Sequence, residues 1–142
     1  MDAILDMDRE AFGVTREPVL RRLAGDCPDL CWMATAAAIP NPESKSQKPE
    51  GYLFARPGAN AYFIGPWVAR CAETAELLLR VCLEKLAGRR VFVDVPVNHP
   101  ARPMVARHGF KAQRPFTRMW LGCNDWPGNV SLTYGIADPA KG

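Results

Sequence analysis

Residues 65–72 carry the combination of groups in this sequence that is best suited to bind an anion. They read Gly-Pro-Trp-Val-Ala-Arg-Cys-Ala and lead from a strand-like run directly into a long helical pattern. A helix N-terminus presents backbone amides without intrahelical partners and the positive end of the helix dipole, and both favour a phosphate. Arg70 adds a full positive charge there. The pattern predicts an anion site; the alternative interpretation is an ordinary strand-to-helix turn beside a solvated arginine.

The cysteines and histidines do not have the spacing of a metal site, so we expect no bound metal. Cys27 and Cys31 are four residues apart, and His99 and His108 are nine residues apart. Zinc sites use tighter pairs in recognised patterns. Cys71 lies near the predicted helix start, but a nucleophilic thiol needs a base, and no histidine is near it in the sequence.

Composition and length predict one soluble globular domain that covers residues 1–142. Of the 142 residues, 48% are apolar and 23% are charged, which is close to the average for such domains. The net charge of +3 comes from bases scattered among acids, which argues against the basic stripe of a nucleic-acid-binding protein. No apolar run is long enough to predict a membrane span.

The N-terminal residues and the cysteines predict a cytoplasmic location. Acidic residues occupy the start of the chain, where a secretory signal needs basic ones. The five cysteines, an odd number, are therefore expected to be reduced thiols.

Hydrophobic spacing predicts the elements that position the anion site. The predicted helices cover residues 8–12, 16–24, 68–87 and about 99–108, the last capped by Asn98. The predicted strands cover residues 31–39, 51–56, 60–64, 90–95 and 116–121. A polar, proline-rich stretch at about 40–50 predicts a mobile loop, and the Gly, Pro and Asp content of residues 124–142 predicts an irregular tail.

The first three strands are expected to form an antiparallel meander, followed by a parallel pair. A tight turn at residues 57–59 joins the second strand to the third. The third strand, the long helix and the strand at 90–95 form a crossover unit, which makes these two strands parallel. No strand is predicted before the first helices, so one sheet edge is expected to be unpaired and to recruit a second copy of the chain as a homodimer.

The order of these elements and four sequence blocks resemble the GNAT superfamily of acyl-CoA N-acyltransferases. The blocks are residues 8–13 with Arg16, residues 51–58, residues 64–69, and the stretch from Asn98 through Ala101 to Gly109 and Phe110. They are similar to a GNAT subgroup in which this domain often forms the C-terminal half of a two-domain acetyltransferase. The resemblance covers residues 6–137 and implies an α/β fold with a GNAT-like mixed central sheet flanked by helices.

The resemblance implies acetyl-CoA as co-substrate, bound at the start of the central helix. The superfamily holds the CoA pyrophosphate on backbone amides of an Arg/Gln-x-x-Gly-x-Gly/Ala turn, and residues 70–75 stand in that place here. Arg70 and Ala75 fit the motif, whereas Glu73 replaces its first glycine. The residues that the resemblance places at the cofactor are Trp67, Val68, Ala69, Arg70, Ala72, Ala75 and Asn98.

The resemblance also implies a proton donor and a general base. Many members protonate the leaving thiolate with a tyrosine five residues before the Phe of the Gly-Phe pair, but that position is Val105 here. Tyr134, in a C-terminal motif similar to that of the subgroup, takes this role if the tail folds back over the cleft; otherwise it is an anchoring aromatic. The candidate bases are Asp94 and Glu50, and each is alternatively a solvated or structural acid.

The implied function is direct transfer of acetyl from acetyl-CoA to an amine of a small molecule or a peptide. Positioning, and a backbone amide that polarises the thioester carbonyl, would be the main catalytic devices. The alternative is a non-catalytic GNAT-like domain that binds a ligand or dimerises and has lost CoA chemistry. Glu73 and Val105 favour this alternative, whereas the strand-to-helix turn, Arg70 and Asn98 favour the enzyme.

Overall fold

The computed structural model of the protein describes residues 1–35 and 48–137. The mixture of helices and strands in these residues confirms the predicted α/β class. The helices are α1 (Asp2–Phe12), α2 (Glu17–Asp26), α3 (Ala72–Lys85) and α4 (Ala101–Arg107). The strands are β1 (Cys31–Thr35), β2 (Pro49–Pro57), β3 (Tyr62–Ala69), β4 (Val91–Val93) and β5 (Thr133–Gly135). Short 3-10 turns, Pro28–Leu30 and Val130–Leu132, directly precede β1 and β5.

Strand β3 is the centre of the sheet because it pairs with three other strands. It runs antiparallel to β2, which in turn runs antiparallel to β1. Strand β4 pairs in parallel with residues 62–64 of β3, and α3 connects these two strands. Strand β5 pairs antiparallel with Trp67 and Val68 of β3. Since β2 occupies one edge of β3, strands β4 and β5 must share the other edge.

A bulge in β3 separates the part that pairs with β4 from the part that pairs with β5. One residue of β2 faces two residues of β3, Gly65 and Pro66, at this point. Gly65 has a φ of 142°, a backbone conformation that glycine adopts at little cost. A bulge bends its strand and increases the local twist. The β4 pairing accordingly ends at Ile64, and the β5 pairing begins at Trp67.

Alternating side chains of β2 and β3 contribute to two hydrophobic cores on opposite faces of the sheet. One core joins the sheet to α3 and α4, and it includes Leu53, Trp67, Leu79 and Met104. The other core joins the sheet to α1 and α2, and it includes Met7, Leu20, Tyr52 and Val68. Trp67 and Val68, which are adjacent in the chain, therefore belong to opposite faces.

Several predicted boundaries are wrong, and pairing between strands explains those at residue 68 and in the tail. The helix predicted at 68–87 begins at Ala72, because residues 68 and 69 continue the pairing with β2. The helix predicted at 8–12 begins at Asp2. No strand forms at residues 116–121, and the tail predicted to be irregular contains β5, which is stabilised by its hydrogen bonds to β3.

Two further predictions concern the loop and the α4 cap. Residues 40–47 of the loop predicted at about 40–50 lie outside the described residues. Its last two residues, Pro49 and Glu50, belong to β2. Asn98 does not cap α4, because the N-cap residue of that helix is Pro100. The Ala101 amide in the first turn instead donates to His99 Nδ1 at 3.1 Å.

A buried polar network fastens α1 to the sheet. The Asp8 carboxylate, only 1% exposed, accepts hydrogen bonds from Arg16 Nη2 at 2.6 Å and from Arg16 Nε at 3.2 Å. The Tyr52 hydroxyl of β2 donates to the same carboxylate. Burial and the adjacent Asp8 charge raise the pKa of Tyr52, so the hydroxyl keeps its proton. The Arg16 guanidinium also lies 3.9 Å from the centre of the Phe12 ring.

We expect Asp8→Asn to lower the free energy of unfolding by about 3–5 kcal/mol, because it removes the buried carboxylate charge that pairs with the Arg16 guanidinium. Urea denaturation followed by circular dichroism measures the change. The matched control is Asp6→Asn on the same helix, whose exposed carboxylate lies 3.5 Å from Arg9 and should contribute less than about 1 kcal/mol. Equal effects of the two substitutions would contradict a stabilising role for the network.

Candidate functional site

The first turn of α3 lies directly beyond the carboxyl end of β3. Only Arg70 and Cys71 separate the two elements, and no side chain forms an N-cap hydrogen bond at Cys71. The helix packs closely on the sheet: a Cβ atom added to Gly51 would lie 2.9 Å from Thr74 Cγ2. Ala75 is fully buried beneath this turn. The first amides of α3 thus have no intrahelical partner, and the anion site expected at this turn stays a prediction.

Arg70 is held by an acid of α1. Its Nη1 and Nη2 atoms donate to the Glu10 carboxylate at 3.2 and 2.9 Å. These hydrogen bonds lower the pKa of Glu10 and raise that of Arg70. Both side chains are partly exposed, and an exposed ion pair contributes little to stability. A phosphate can therefore compete with Glu10 for the guanidinium at small cost.

Glu73 places a negative charge at the N-terminus of α3. A hydrogen bond from its own backbone amide, followed by one from the Cys71 thiol, lowers the pKa of the Glu73 carboxyl. The side chain is exposed and is therefore able to rotate into solvent. Its negative charge at this position opposes the binding of a phosphate to the same turn.

The tail strand brings Tyr134 against Trp67, on the α3 side of the sheet. The two ring centres lie 5.4 Å apart, and both side chains are buried. Burial, followed by electrostatic interactions with Cys71 and Glu73, raises the pKa of Tyr134. The Tyr134 hydroxyl is thus protonated at neutral pH and close enough to the first turn of α3 to sense its charges.

Trp67 contributes a buried donor to the same region. Its indole Nε1 has no hydrogen-bond partner among the described residues. In that part of the chain it is the one buried side-chain nitrogen or oxygen atom without a partner. A buried N–H without an acceptor is costly and uncommon in folded proteins. The hydrogen-bonding capacity of this buried group is therefore unused among the described residues.

His99 positions Tyr134, a role that sequence spacing does not reveal. Its Nδ1 accepts from the Ala101 amide, and its Nε2 lies 3.0 Å from the Ser131 carbonyl oxygen, to which it donates in that tautomer. The ring meets Tyr134 edge-on, with ring centres 4.6 Å apart. Because both ring nitrogens are engaged, His99 links the start of α4 to the turn that precedes β5.

Beyond β5, the chain crosses from β3 to the end of β4. The Ile136 amide donates to the Asp94 carbonyl oxygen at 3.0 Å, and Arg56 Nη1 donates to the Ala137 carbonyl oxygen at 2.6 Å. A side chain at Gly65 would collide with the Ile136 carbonyl. The tail thus bridges the carboxyl ends of the two parallel strands, which is where α/β proteins usually bind ligands.

The structure brings together most, though not all, of the residues predicted for the site. Trp67, Arg70, Ala72 and Ala75 lie at or beneath the first turn of α3, and Ala69 ends the adjoining strand. The Val68 side chain is buried on the opposite face against α1, so only its backbone reaches this side. Asn98 is exposed in the connection between β4 and α4.

The two candidate bases occupy different positions. Asp94 is half-buried just beyond β4, beside the tail. Glu50 is half-buried in β2; its carbonyl oxygen accepts from the Arg70 amide at 2.9 Å, and its charge helps to raise the pKa of Arg70. Asp94 therefore lies near the tail that carries Tyr134, whereas Glu50 lies near the first turn of α3.

A family model described as an acetyltransferase (GNAT) domain matches residues 4–135. The chain therefore belongs to the GNAT acetyltransferase family, as its sequence blocks predict. Comparisons with curated proteins and with solved structures found no match.

The described residues place two limits on other kinds of site. None of their helices has both the length and the apolar character to span a membrane. They also contain no group of three or more His, Cys, Asp or Glu side chains arranged to hold a metal ion.

We expect Gly65→Ala to release the tail from β3, because the new methyl group meets the Ile136 carbonyl. The variant should lose about 1–3 kcal/mol of stability from steric overlap, and the Ile136 amide should lose its protection in hydrogen exchange. Gly88→Ala is the matched control: φ is also positive there, at 74°, but a Cβ atom would meet nothing within 4 Å. Unchanged Ile136 protection in Gly65→Ala would contradict the predicted contact.

Proposed function

We propose that this GNAT protein is an acyl-CoA-dependent N-acetyltransferase that transfers acetyl directly from acetyl-CoA to an amine. The observation that carries the proposal is the position of Tyr134. The tail strand folds back against β3 and holds this protonated hydroxyl beside Trp67, within electrostatic range of the first turn of α3. Tyr134 would thereby supply the proton donor that the family's usual tyrosine, replaced by Val105 here, would otherwise provide.

The first turn of α3 would bind the CoA phosphates. Free backbone amides and the helix dipole attract the anion, and Arg70 leaves its exposed pair with Glu10 for a stronger charge-assisted contact. Glu73 must turn its carboxylate away, which its exposed position allows. The unpartnered Nε1 of Trp67 fits an acceptor atom of the co-substrate.

Two residues on neighbouring segments would move the protons. The amine must lose a proton to attack the thioester carbonyl, and the departing thiolate must gain one. Tyr134 supplies the second proton. We assign the proton of the amine to Asp94. The backbone of Asp94 is hydrogen-bonded to Ile136, two residues beyond Tyr134, so Asp94 and Tyr134 lie at one end of the sheet. The acceptor would be an amine of a small molecule or a peptide. The acidic N-terminus and the cysteines expected to be reduced support a cytoplasmic location.

Calorimetric titration with acetyl-CoA tests the phosphate site. Arg70→Glu should weaken binding by roughly 1–3 kcal/mol, the scale of a lost charge-assisted contact. Glu73→Gln should strengthen binding because it removes a like charge, and Glu73→Gly should strengthen it further by removing bulk. Arg80→Glu, an exposed position farther along α3, is the matched control and should change affinity little.

The possible outcomes separate the enzyme from the non-catalytic alternative. If the wild type binds acetyl-CoA and the affinities of the variants follow the predicted order, the result supports the enzyme. Binding by Glu73→Gly alone would mean that Glu73 blocks the site and that the domain has lost CoA chemistry. Equal affinity in every variant would show that the phosphates bind elsewhere.

Tyr134→Phe should lower kcat by about 10²–10⁴-fold, the usual contribution of a positioned acid, while leaving affinity for acetyl-CoA and the Trp67 contact intact. Release of free CoA thiol in the presence of a panel of amines measures the rate. Because burial raises the pKa of Tyr134, the wild-type kcat should fall only at strongly alkaline pH, where the donor loses its proton. Tyr62→Phe, on the same sheet, is the control; an unaltered rate in Tyr134→Phe would make Tyr134 an anchoring aromatic.

A further inference from the structure

The ion pair between Glu10 and Arg70 joins α1 to the segment that precedes α3. Both terminal nitrogens of Arg70 donate to the Glu10 carboxylate, one to each oxygen, at 3.2 and 2.9 Å. Arginine binds carboxylates and phosphates in this same two-pronged geometry. Glu10 therefore occupies two of the hydrogen-bond donors that Arg70 has for a phosphate.

The backbone on each side of this pair is fixed by other contacts. The Arg70 amide donates to the Glu50 carbonyl oxygen of β2 at 2.9 Å. Glu10 lies two residues after Asp8, whose buried carboxylate binds Arg16 and Tyr52. The two side chains of the pair are less constrained, because 38% of the Arg70 side chain and 47% of the Glu10 side chain are exposed. The pair can thus open by rotation of side chains, without a change in the backbone.

The exposure of the pair limits how strongly its closed form is favoured. An exposed ion pair favours contact over separation by a factor of no more than about five. A ligand that needs the guanidinium free has its affinity reduced to the fraction of molecules in which the pair is open. An internal carboxylate on Arg70 therefore weakens a phosphate ligand measurably, yet does not exclude it.

We propose that Glu10 is an internal competitor of the CoA phosphates, which occupies Arg70 until acetyl-CoA displaces it and thereby lowers the affinity for acetyl-CoA. The inference rests on the proposed function, because it takes Arg70 as a phosphate contact. It adds a residue of α1, which packs on the face of the sheet opposite α3, to those that set the affinity. It also gives the site a preference for phosphate, since a thioester without phosphates has no charge with which to replace the carboxylate.

The opposite role for Glu10 is to hold Arg70 in the position from which it binds the phosphate. The two roles predict effects of opposite sign. Loss of the carboxylate strengthens binding if Glu10 competes, and weakens binding if Glu10 positions the guanidinium. Their mutual hydrogen bonds lower the pKa of Glu10 and raise that of Arg70, so both groups are charged at the neutral pH at which binding is measured.

Calorimetric titration of acetyl-CoA into Glu10→Gln provides the first test. Glutamine keeps the length of the side chain and removes its charge, so the dissociation constant should fall about two- to fivefold. Asp6→Asn, one turn earlier on the same helix, is the matched control. It removes a carboxylate that pairs with Arg9 at 3.5 Å, and it should change the affinity little. Acetylpantetheine, which carries the same acyl thioester without phosphates, should gain no affinity from Glu10→Gln.

A double-mutant cycle with Arg70→Gln shows whether Glu10 acts through Arg70. In the Arg70→Gln background, Glu10→Gln should have no further effect on acetyl-CoA binding, because there is no guanidinium to release. An equal gain in both backgrounds would overturn the proposal, since it would mean that the Glu10 charge repels the phosphates directly.

The remaining outcomes separate this inference from the proposed function. If Arg70→Gln weakens acetyl-CoA binding while Glu10→Gln leaves it unchanged or weakens it, Glu10 is not a competitor, and the proposed function stands without it. If neither the wild type nor any of these variants binds acetyl-CoA, both the inference and the proposed function are wrong.

Discussion

One edge of β3 has to form hydrogen bonds with two strands, β4 and β5, and the rest of the structure depends on this constraint. The bulge at Gly65 and Pro66 divides the edge into a first part that pairs with β4 and a second part that pairs with β5. Glycine is required at the bulge because the Ile136 carbonyl packs directly against it.

The divided edge has a direct consequence for chemistry. It leaves the carboxyl ends of β3 and β4 apart, and the C-terminal segment enters between them with Tyr134 on one side and Ile136 bonded to Asp94 on the other. The segment that carries Tyr134, the proton donor proposed above, therefore also restricts the space in which a ligand would lie. His99 ties this segment to α4, because its two ring nitrogens bond to the first turn of α4 and to the turn before β5.

The second face of the sheet contributes to the site through α1. Asp8 binds this helix to β2 and Arg16 by a buried network, and Glu10, two residues later, reaches Arg70 at the start of α3. An interior ion pair is thus linked by one helix to a surface ion pair. The interior pair sets the position of α1, and the weak surface pair is the one that an incoming phosphate can replace.

Local sequence signals predict what depends on neighbours along the chain. The strand-to-helix turn at residues 65–72, the hairpin of β2 and β3, and the mixed α/β class follow from short-range periodicity and turn residues. Sequence blocks also predict the GNAT family, which the family match confirms. The helix boundary near Val68 was misplaced, because its apolar spacing suits both a helix and a buried strand, and pairing with β2 decides between them.

Only the tertiary structure decides which distant groups meet. A three-residue strand such as β5 is too short to produce a periodic signal, so the fold-back of Tyr134 depends on hydrogen bonds to β3. Glu10 pairs with Arg70 across 60 positions of sequence, and no spacing rule connects them. Residues 116–121 show the converse: they have the aromatic and β-branched side chains typical of a strand, yet a strand needs a neighbour, and the described chain provides none. The sequence by itself determines which segments are able to pair, and the tertiary structure determines which pairs form.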